Sequence, residues 1–471
     1  MNADFQNEPR DEPRDEQMNR SHINPVRTIS TIWMSWMATV MSVTASASSR
    51  EPILCSGETL IRDRALFKTQ RGEAIPGFTR MLQSADFFLT QAALTVTSKS
   101  MIPLSGSKND YLSISMYHWP DPSKAEGLPW LYHDGQVNRE RMKLSQDSDS
   151  LGQTMSRIRV LSTAYTITQD ERYAKKTIEL VRAWFLEPKM RMNPNLNFAQ
   201  MIPGAGPFKS YGVIEGVTLV QTLDSLRFLE ASPEWTAADS QGIRKWMTDY
   251  RDWLKNSPVG KVEATTLNNH KSGYDYQLAS IESYLGNQDA VRRIVEASKA
   301  DLFPQIASDG SLPQEIARTR PLHYTVYNLN AMTGLAELGK KVGINLWQYE
   351  TADHRSIKRA VDYILPCVTA GGSCPFKSEP VQQNGAQSPQ GGVEAFQPQN
   401  ALQILLRADS EFSGHPYVAA AANLQSKVKE QPIDAQIWCE PPLYTAPASR
   451  SERSIRRSFS GPLLLPAAMT S

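Results

Sequence analysis

From residue 148 onward, apolar residues recur at helical spacing in one segment after another, and this repetition limits the fold more than any other feature. The segments are 150–168, 170–186, 211–231, 236–255, 269–285, 288–304, 321–338, 354–366 and 416–428. Gly, Pro and Asn punctuate the gaps, as in EPKMRMNPNLNFAQMIPGAGP and SDGSLPQE. Runs that alternate with the period of a strand are few. The pattern implies an all-α chain of antiparallel helix hairpins that stack or close into a ring.

The flanks differ from this middle. Residues 1–17 carry a tandem DEPR, and from Met18 a basic flank leads into TIWMSWMATVMSVTA and then ASA at 45–47. That is the three-part pattern of a secretory signal, with cleavage expected after Ala47 and a secreted or periplasmic protein as the consequence. Residues 52 to about 100 read as helical, with SADFFLTQAALTVTS as an apolar stripe. Residues 101–147 are rich in Pro, Gly, Asp and aromatics and read as a long loop. The stretch 446–471 is basic and Ser-rich and reads as a loose tail, which leaves 52–445 as the globular domain.

The formal net charge is +1 over 471 residues, so no global field points to nucleic acid. An anionic ligand must be held by local placement. No segment after the leader is long and apolar enough to span a bilayer. The cysteines are Cys55, Cys367, Cys374 and Cys439, without CxxC spacing or a paired histidine, which argues against zinc. Cys367 and Cys374 could close a small loop or remain buried thiols. GLAELGKK at 334–341 lacks the hydroxyl residue and the preceding strand of a phosphate loop and reads as a helix end.

Three clusters could carry chemistry. In TLNNHKSGYDYQ (266–277) a helix starting near Asn269 puts His270, Tyr274, Gln277 and Ile281 on one face. Asn268 or Asn269 could cap that helix. The free N–H groups of the first turn favour an anion, and an imidazole there can accept a proton. In EIARTRPLHYTVYNLNAM (315–332) Pro321 fits the first helical position, with Leu322, Val326, Leu329 and Met332 as the core stripe. Arg318, Arg320, His323 and Tyr324 then crowd a helix N-terminus, where cations oppose the dipole. Something acidic should compensate, either Glu315 or a bound carboxylate. In the aromatic loop Tyr117, Trp119, Trp130 and Tyr132 could form a platform for sugar rings, with at least one tryptophan anchoring the loop instead.

MYHWPDPSKAEGLPWLYHDGQVN, RMNPNLNFAQMIPG, NNHKSGYDYQ and ARTRPLHYTVYNLNAM, in this order over roughly 100–370, resemble the alginate lyase domain family. The resemblance implies an incomplete (α/α) toroid and cleavage of a uronate polysaccharide by β-elimination, with no metal or organic cofactor. The catalytic residues it implies are Asn269, His270, Tyr324 and Arg320 or Arg318. Arg320 is the one taken as catalytic, and Arg318 joins Asn268, Tyr274, Tyr117, Trp119 and Trp130 as substrate-binding. The partner is then an acidic polysaccharide, alginate or a related uronan, and not nucleic acid or a membrane.

The residues agree with such chemistry. The C5 proton of a uronate is weakly acidic until its carboxylate is neutralised by fixed donors, such as Asn269 and an arginine. A base then takes the proton and an acid protonates O4, with His270 and Tyr324 as candidates. Two cations beside Tyr324 are expected to lower its pKa. A glycoside hydrolase would instead need two facing carboxylates, for which Asp275, Glu315 and Asp110 are available. A sugar-binding protein without chemistry would need only the groove.

Overall fold

The computed structural model describes residues 51–75, 77–206, 208–369, 371–376 and 396–428. The expected leader and tail lie outside these residues. Everything described falls within one unit, Arg50–Ser471.

Helices dominate. Two form before the long loop, α1 (Gly57–Lys68) and α2 (Phe78–Leu89). The series continues with α3 (Asp147–Thr168), α4 (Glu171–Val181), α5 (Leu223–Leu229), α6 (Ala237–Asn256), α7 (Pro258–Glu263) and α8 (Asn269–Leu285). It ends with α9 (Gln288–Leu302), α10 (Pro313–Ile316), α11 (Pro321–Lys341), α12 (Ile357–Val368), α13 (Leu402–Glu411) and α14 (Val418–Val428). Pairs such as α3–α4 and α8–α9 pack together across connections of a few residues, which forces them antiparallel.

Local chemistry sets the boundaries. Thr236 and Asp239 form a reciprocal capping box at the start of α6. Ser257 caps α7, with Pro258 at its first position. Gly286, at φ 87°, ends α8 in a left-handed turn that its missing Cβ permits. The core stripe of α11 is as expected, with Leu322, Val326, Leu329 and Met332 all buried.

The structure departs from the periodic reading in several places. The expected helix 211–231 is a 3-10 segment (Ser210–Gly216), a single turn (Val217–Val220) and α5. The cause is close packing: a Cβ on Gly216 would sit 2.0 Å from the Tyr250 hydroxyl and 2.1 Å from Gln277 Oε1. The loop 101–147 contains three short strands, β1 (Leu112–Ile114), β2 (His118–Trp119) and β3 (Leu131–Tyr132). β1 runs parallel to β4 (Phe198–Met201), and β2 pairs antiparallel with β3. α7 and α13 were too short for periodicity to reveal. Cys367 and Cys374 are joined by a disulfide, and Cys55 is disulfide-bonded as well.

α8 occupies the centre. It packs on α6, α9 and α11, and every one of its residues except His270 is buried. A helix enclosed on all sides has no solvent face to mark with charge, which explains its weak apolar stripe. No described helix is long and apolar enough to cross a membrane.

Candidate active site

The starts of α8 and α11 meet through one buried carboxylate. Glu315, on α10, accepts from the Asn269 backbone N–H (2.7 Å) and from Asn269 Nδ2 (2.8 Å). It also accepts from Asn328 Nδ2 on α11 at 2.9 Å. Burial pushes the Glu315 carboxyl up, and these N–H donors pull it back. The N-terminus of α8, with its partial positive charge, is thus tied through Glu315 to α10 and to Asn328 on α11.

Asn268 is the cap of α8: its side-chain oxygen accepts from the His270 N–H at 2.9 Å. Asn269, 3 % exposed, is the amide held by Glu315. His270 is partly open, and its Nδ1 lies 2.7 Å from Oε1 of Glu263, the last residue of α7. Tyr274 does not join them. It sits with Val213, Leu254, Val259 and Leu278 in a small core cluster, and its hydroxyl donates to the Leu254 carbonyl at 3.5 Å. One helical turn carries it past the open end of α8 into packing.

Of the two ways the arginines could be compensated, pairing with Glu315 is not seen. Arg318 is taken instead by Asp134, with Nε at 3.1–3.2 Å from the two carboxylate oxygens. Its Nη2 donates to the Tyr324 hydroxyl at 2.8 Å, and the guanidinium lies over the Tyr324 ring, 3.9 Å from its centroid. Burial opposes ionisation of Asp134, but hydrogen bonds from Arg318, the Thr319 N–H and Tyr132 hold its carboxyl well below the usual range. Arg320 differs. It is 4 % exposed, its Nε is buried without a hydrogen-bond partner, and no described carboxylate pairs with it. A buried cation without a counter-ion among the described residues is costly.

Tyr324, 8 % exposed, donates its hydroxyl to the Tyr117 hydroxyl at 2.8 Å, which draws the aromatic loop onto α11. The expected fall in its pKa does not occur. Burial first, then Tyr117, push the phenol well above the ordinary tyrosine range, and Arg318 only partly offsets them. Tyr324 is therefore a neutral phenol in the free protein. In the same loop Trp119 donates to the Gln136 carbonyl at 3.1 Å. Trp130 packs on Leu112, Ile114, Phe198 and Met201 and anchors the loop, while Tyr132 stays half-exposed.

The carboxylates a hydrolase would need are otherwise engaged. Asp275 is buried against Lys271 at 2.6 Å, and Asp110 accepts from Asn193 at 2.8 Å. Two residues escaped the sequence reading. Asp134 lay in a loop whose partner is 184 residues away. Glu263 ended a helix that only its Ser257–Pro258 start could have betrayed.

His323 allows a check on the electrostatics. Burial, then Arg320 and Arg318, lower its pKa from 6.5 to about 3. The unfolded chain therefore binds a proton near pH 6.5 that the folded protein refuses. This contribution is complete above pH 6.5 and is lost as pH falls from there toward 3. We expect His323→Gln to remove about 1–2 kcal/mol of the stability difference between pH 8 and pH 5, measured by denaturant unfolding. Parallel losses in both proteins would show that His323 does not titrate this way.

The described residues thus offer an imidazole (His270), a phenol (Tyr324), a fixed amide (Asn269) and a buried arginine (Arg320) in and just before the first turns of α8 and α11. The chain belongs to the alginate lyase family, whose pattern matches residues 95–373. It is similar to the crystal structure of an alginate lyase from Bacteroides ovatus, with 30% identity and a TM-score of 0.71, over 83% of this chain and 99% of that one. A weaker likeness is to alginate lyase A1-III from Sphingomonas species A1, at 15% identity and a TM-score of 0.44, over 72% and 89% of the two chains. A histidine-to-alanine variant of A1-III complexed with a tetrasaccharide gives 16% and 0.46, over 71% and 88%. No curated protein matches. The protein is thus a polysaccharide lyase with an (α/α) toroid fold.

Proposed function

We propose that the protein cleaves alginate by β-elimination and leaves a 4,5-unsaturated uronate at the new end. The observation that carries this reading is Arg320, buried and without a carboxylate partner among the described residues, one turn before Tyr324 and five residues after the Glu315 that grips Asn269. The substrate carboxylate supplies the missing anion. Arg320 and the second Nδ2 hydrogen of Asn269 then hold the charge that grows on the carboxylate as C5 loses its proton. His270 takes that proton. Tyr324, a neutral phenol whose oxygen already accepts from Arg318, protonates O4 as the C4–O bond breaks. Tyr117, bonded to the Tyr324 hydroxyl, and Trp119, close to it in the aromatic loop, are both partly exposed and would contact the sugar chain. Alginate is preferred because the family and the 30%-identical structure both carry that name.

Secretion is part of the proposal. The leader pattern supports it, and so does the Cys367–Cys374 disulfide, a bond of oxidising compartments.

The test is near-ultraviolet absorbance during incubation with polymannuronate, polyguluronate and glucuronan, each alone. A rise with either alginate block establishes the elimination and names the sugar. A rise with glucuronan only moves the substrate to another uronate. New reducing ends without absorbance would replace elimination by hydrolysis.

A further inference from the structure

We infer that Glu263 is a positioning residue that fixes the tautomer of His270, holding the proton on Nδ1 so that Nε2 presents its lone pair to the substrate. The inference rests on the role proposed above for His270 and extends it to a residue on another helix.

The geometry is specific. Glu263 is 1 % exposed and is the last residue of α7, a helix started by Ser257 and Pro258. Its Oε1 lies 2.7 Å from His270 Nδ1, within the range of a charge-assisted hydrogen bond. A neutral imidazole carries one N–H, so a carboxylate that accepts from Nδ1 leaves Nε2 as the acceptor. The neighbouring groups fix the ring further: the His270 backbone N–H is held by Asn268, and Asn269 is gripped by Glu315. The Asn269–His270 pair is thus steadied from both sides by buried glutamates, one for each residue. α7 is itself clamped, since a Cβ on Gly260 would lie 2.0 Å from the Leu254 carbonyl oxygen. His270 is the single residue of α8 that is not buried, so its Nε2 is placed where a ligand can meet it.

A protonated Glu263 that donates to Nδ1 would give the opposite tautomer, and burial does push its carboxyl up. The two arrangements make opposite demands on a substitution. A glutamine amide reproduces a protonated carboxyl as a donor, but it replaces a carboxylate poorly. If the wild-type proton sits on Nδ1, Glu263→Gln lets the amide donate to Nδ1 and drives the proton to Nε2.

The test uses the full chain with 15N-labelled histidine. The signal of His270 is assigned by its loss in His270→Ala. At neutral pH the wild-type protein is expected to show a protonated Nδ1 and an unprotonated Nε2. In Glu263→Gln this pattern should reverse or average, with kcat on the unsaturated-uronate assay falling about 100- to 1,000-fold and KM changing less than about threefold. Glu263→Asp should recover part of the rate. A wild-type His270 protonated on Nε2, or a Glu263→Gln enzyme with near-normal kcat, overturns the inference. These outcomes differ from failure of the proposed function, which would appear as wild-type protein that makes no unsaturated product while its His270 tautomer remains readable.

Discussion

Tyr324→Phe is expected to lower kcat on the preferred alginate block by about 10²- to 10⁴-fold, the usual worth of a placed general acid. The change removes one oxygen and leaves the ring, so the guanidinium of Arg318 keeps its seat 3.9 Å from the ring centroid. Arg318 also keeps Asp134, and Tyr117, which is partly exposed, can turn to water in place of the Tyr324 hydroxyl. Stability should therefore fall by no more than about 1 kcal/mol, the net worth of an ordinary hydrogen bond. KM should move little, because the lost proton matters when the C4–O4 bond breaks and not when the sugar binds. The combination is diagnostic. Initial rates from product absorbance give kcat and KM, and denaturant unfolding gives stability. A Tyr324→Phe enzyme within tenfold of the wild type in kcat would remove Tyr324 from proton transfer. A large rise in KM alone would reduce it to a side chain that helps to bind the sugar.

The reach of the sequence can be judged on particular residues. The start of α8 at Asn269, its cap and the start of α11 at Pro321 were legible because caps and proline act within a few residues of themselves. The grouping of Asn269, His270, Arg320 and Tyr324 as one site is implied only by the family resemblance, since periodicity says nothing about which helix lies beside which. The groups that hold the site were not legible. Asn269 and Glu315 are 46 residues apart, and Asp134 and Arg318 are 184 apart, with nothing local to join them. Tyr274 misled because helical spacing gives a face without saying how far along the helix the open end extends. Tyr324 misled for a different reason. Counting nearby cations suggested a lowered pKa, but burial and Tyr117 outweigh Arg318, whose charge Asp134 also shares. Both errors came from reading neighbours in sequence without knowing their burial.

Arg320→Met should separate activity from stability in opposite directions. Arginine and methionine share an apolar stem, so the substitution keeps most of the packing and deletes the charge. In the free protein that charge has no described carboxylate to balance it, and its Nε is buried without a partner. Removing an uncompensated buried cation relieves a cost, so the variant should be as stable as the wild type or more stable by about 1–3 kcal/mol. The same change takes away the donor that meets the substrate carboxylate, and kcat/KM should fall by about 10²- to 10³-fold. Arg318→Met supplies the contrast. It leaves Asp134 without its ion pair and should destabilise the fold while it slows the reaction. Unfolding free energies and steady-state rates on the two variants decide the matter. An Arg320→Met protein that is less stable and fully active would show that Arg320 supports the fold and that the carboxylate is held elsewhere. A more stable and nearly inactive one would show that this arginine is kept, against the interest of the folded state, for the acid it receives.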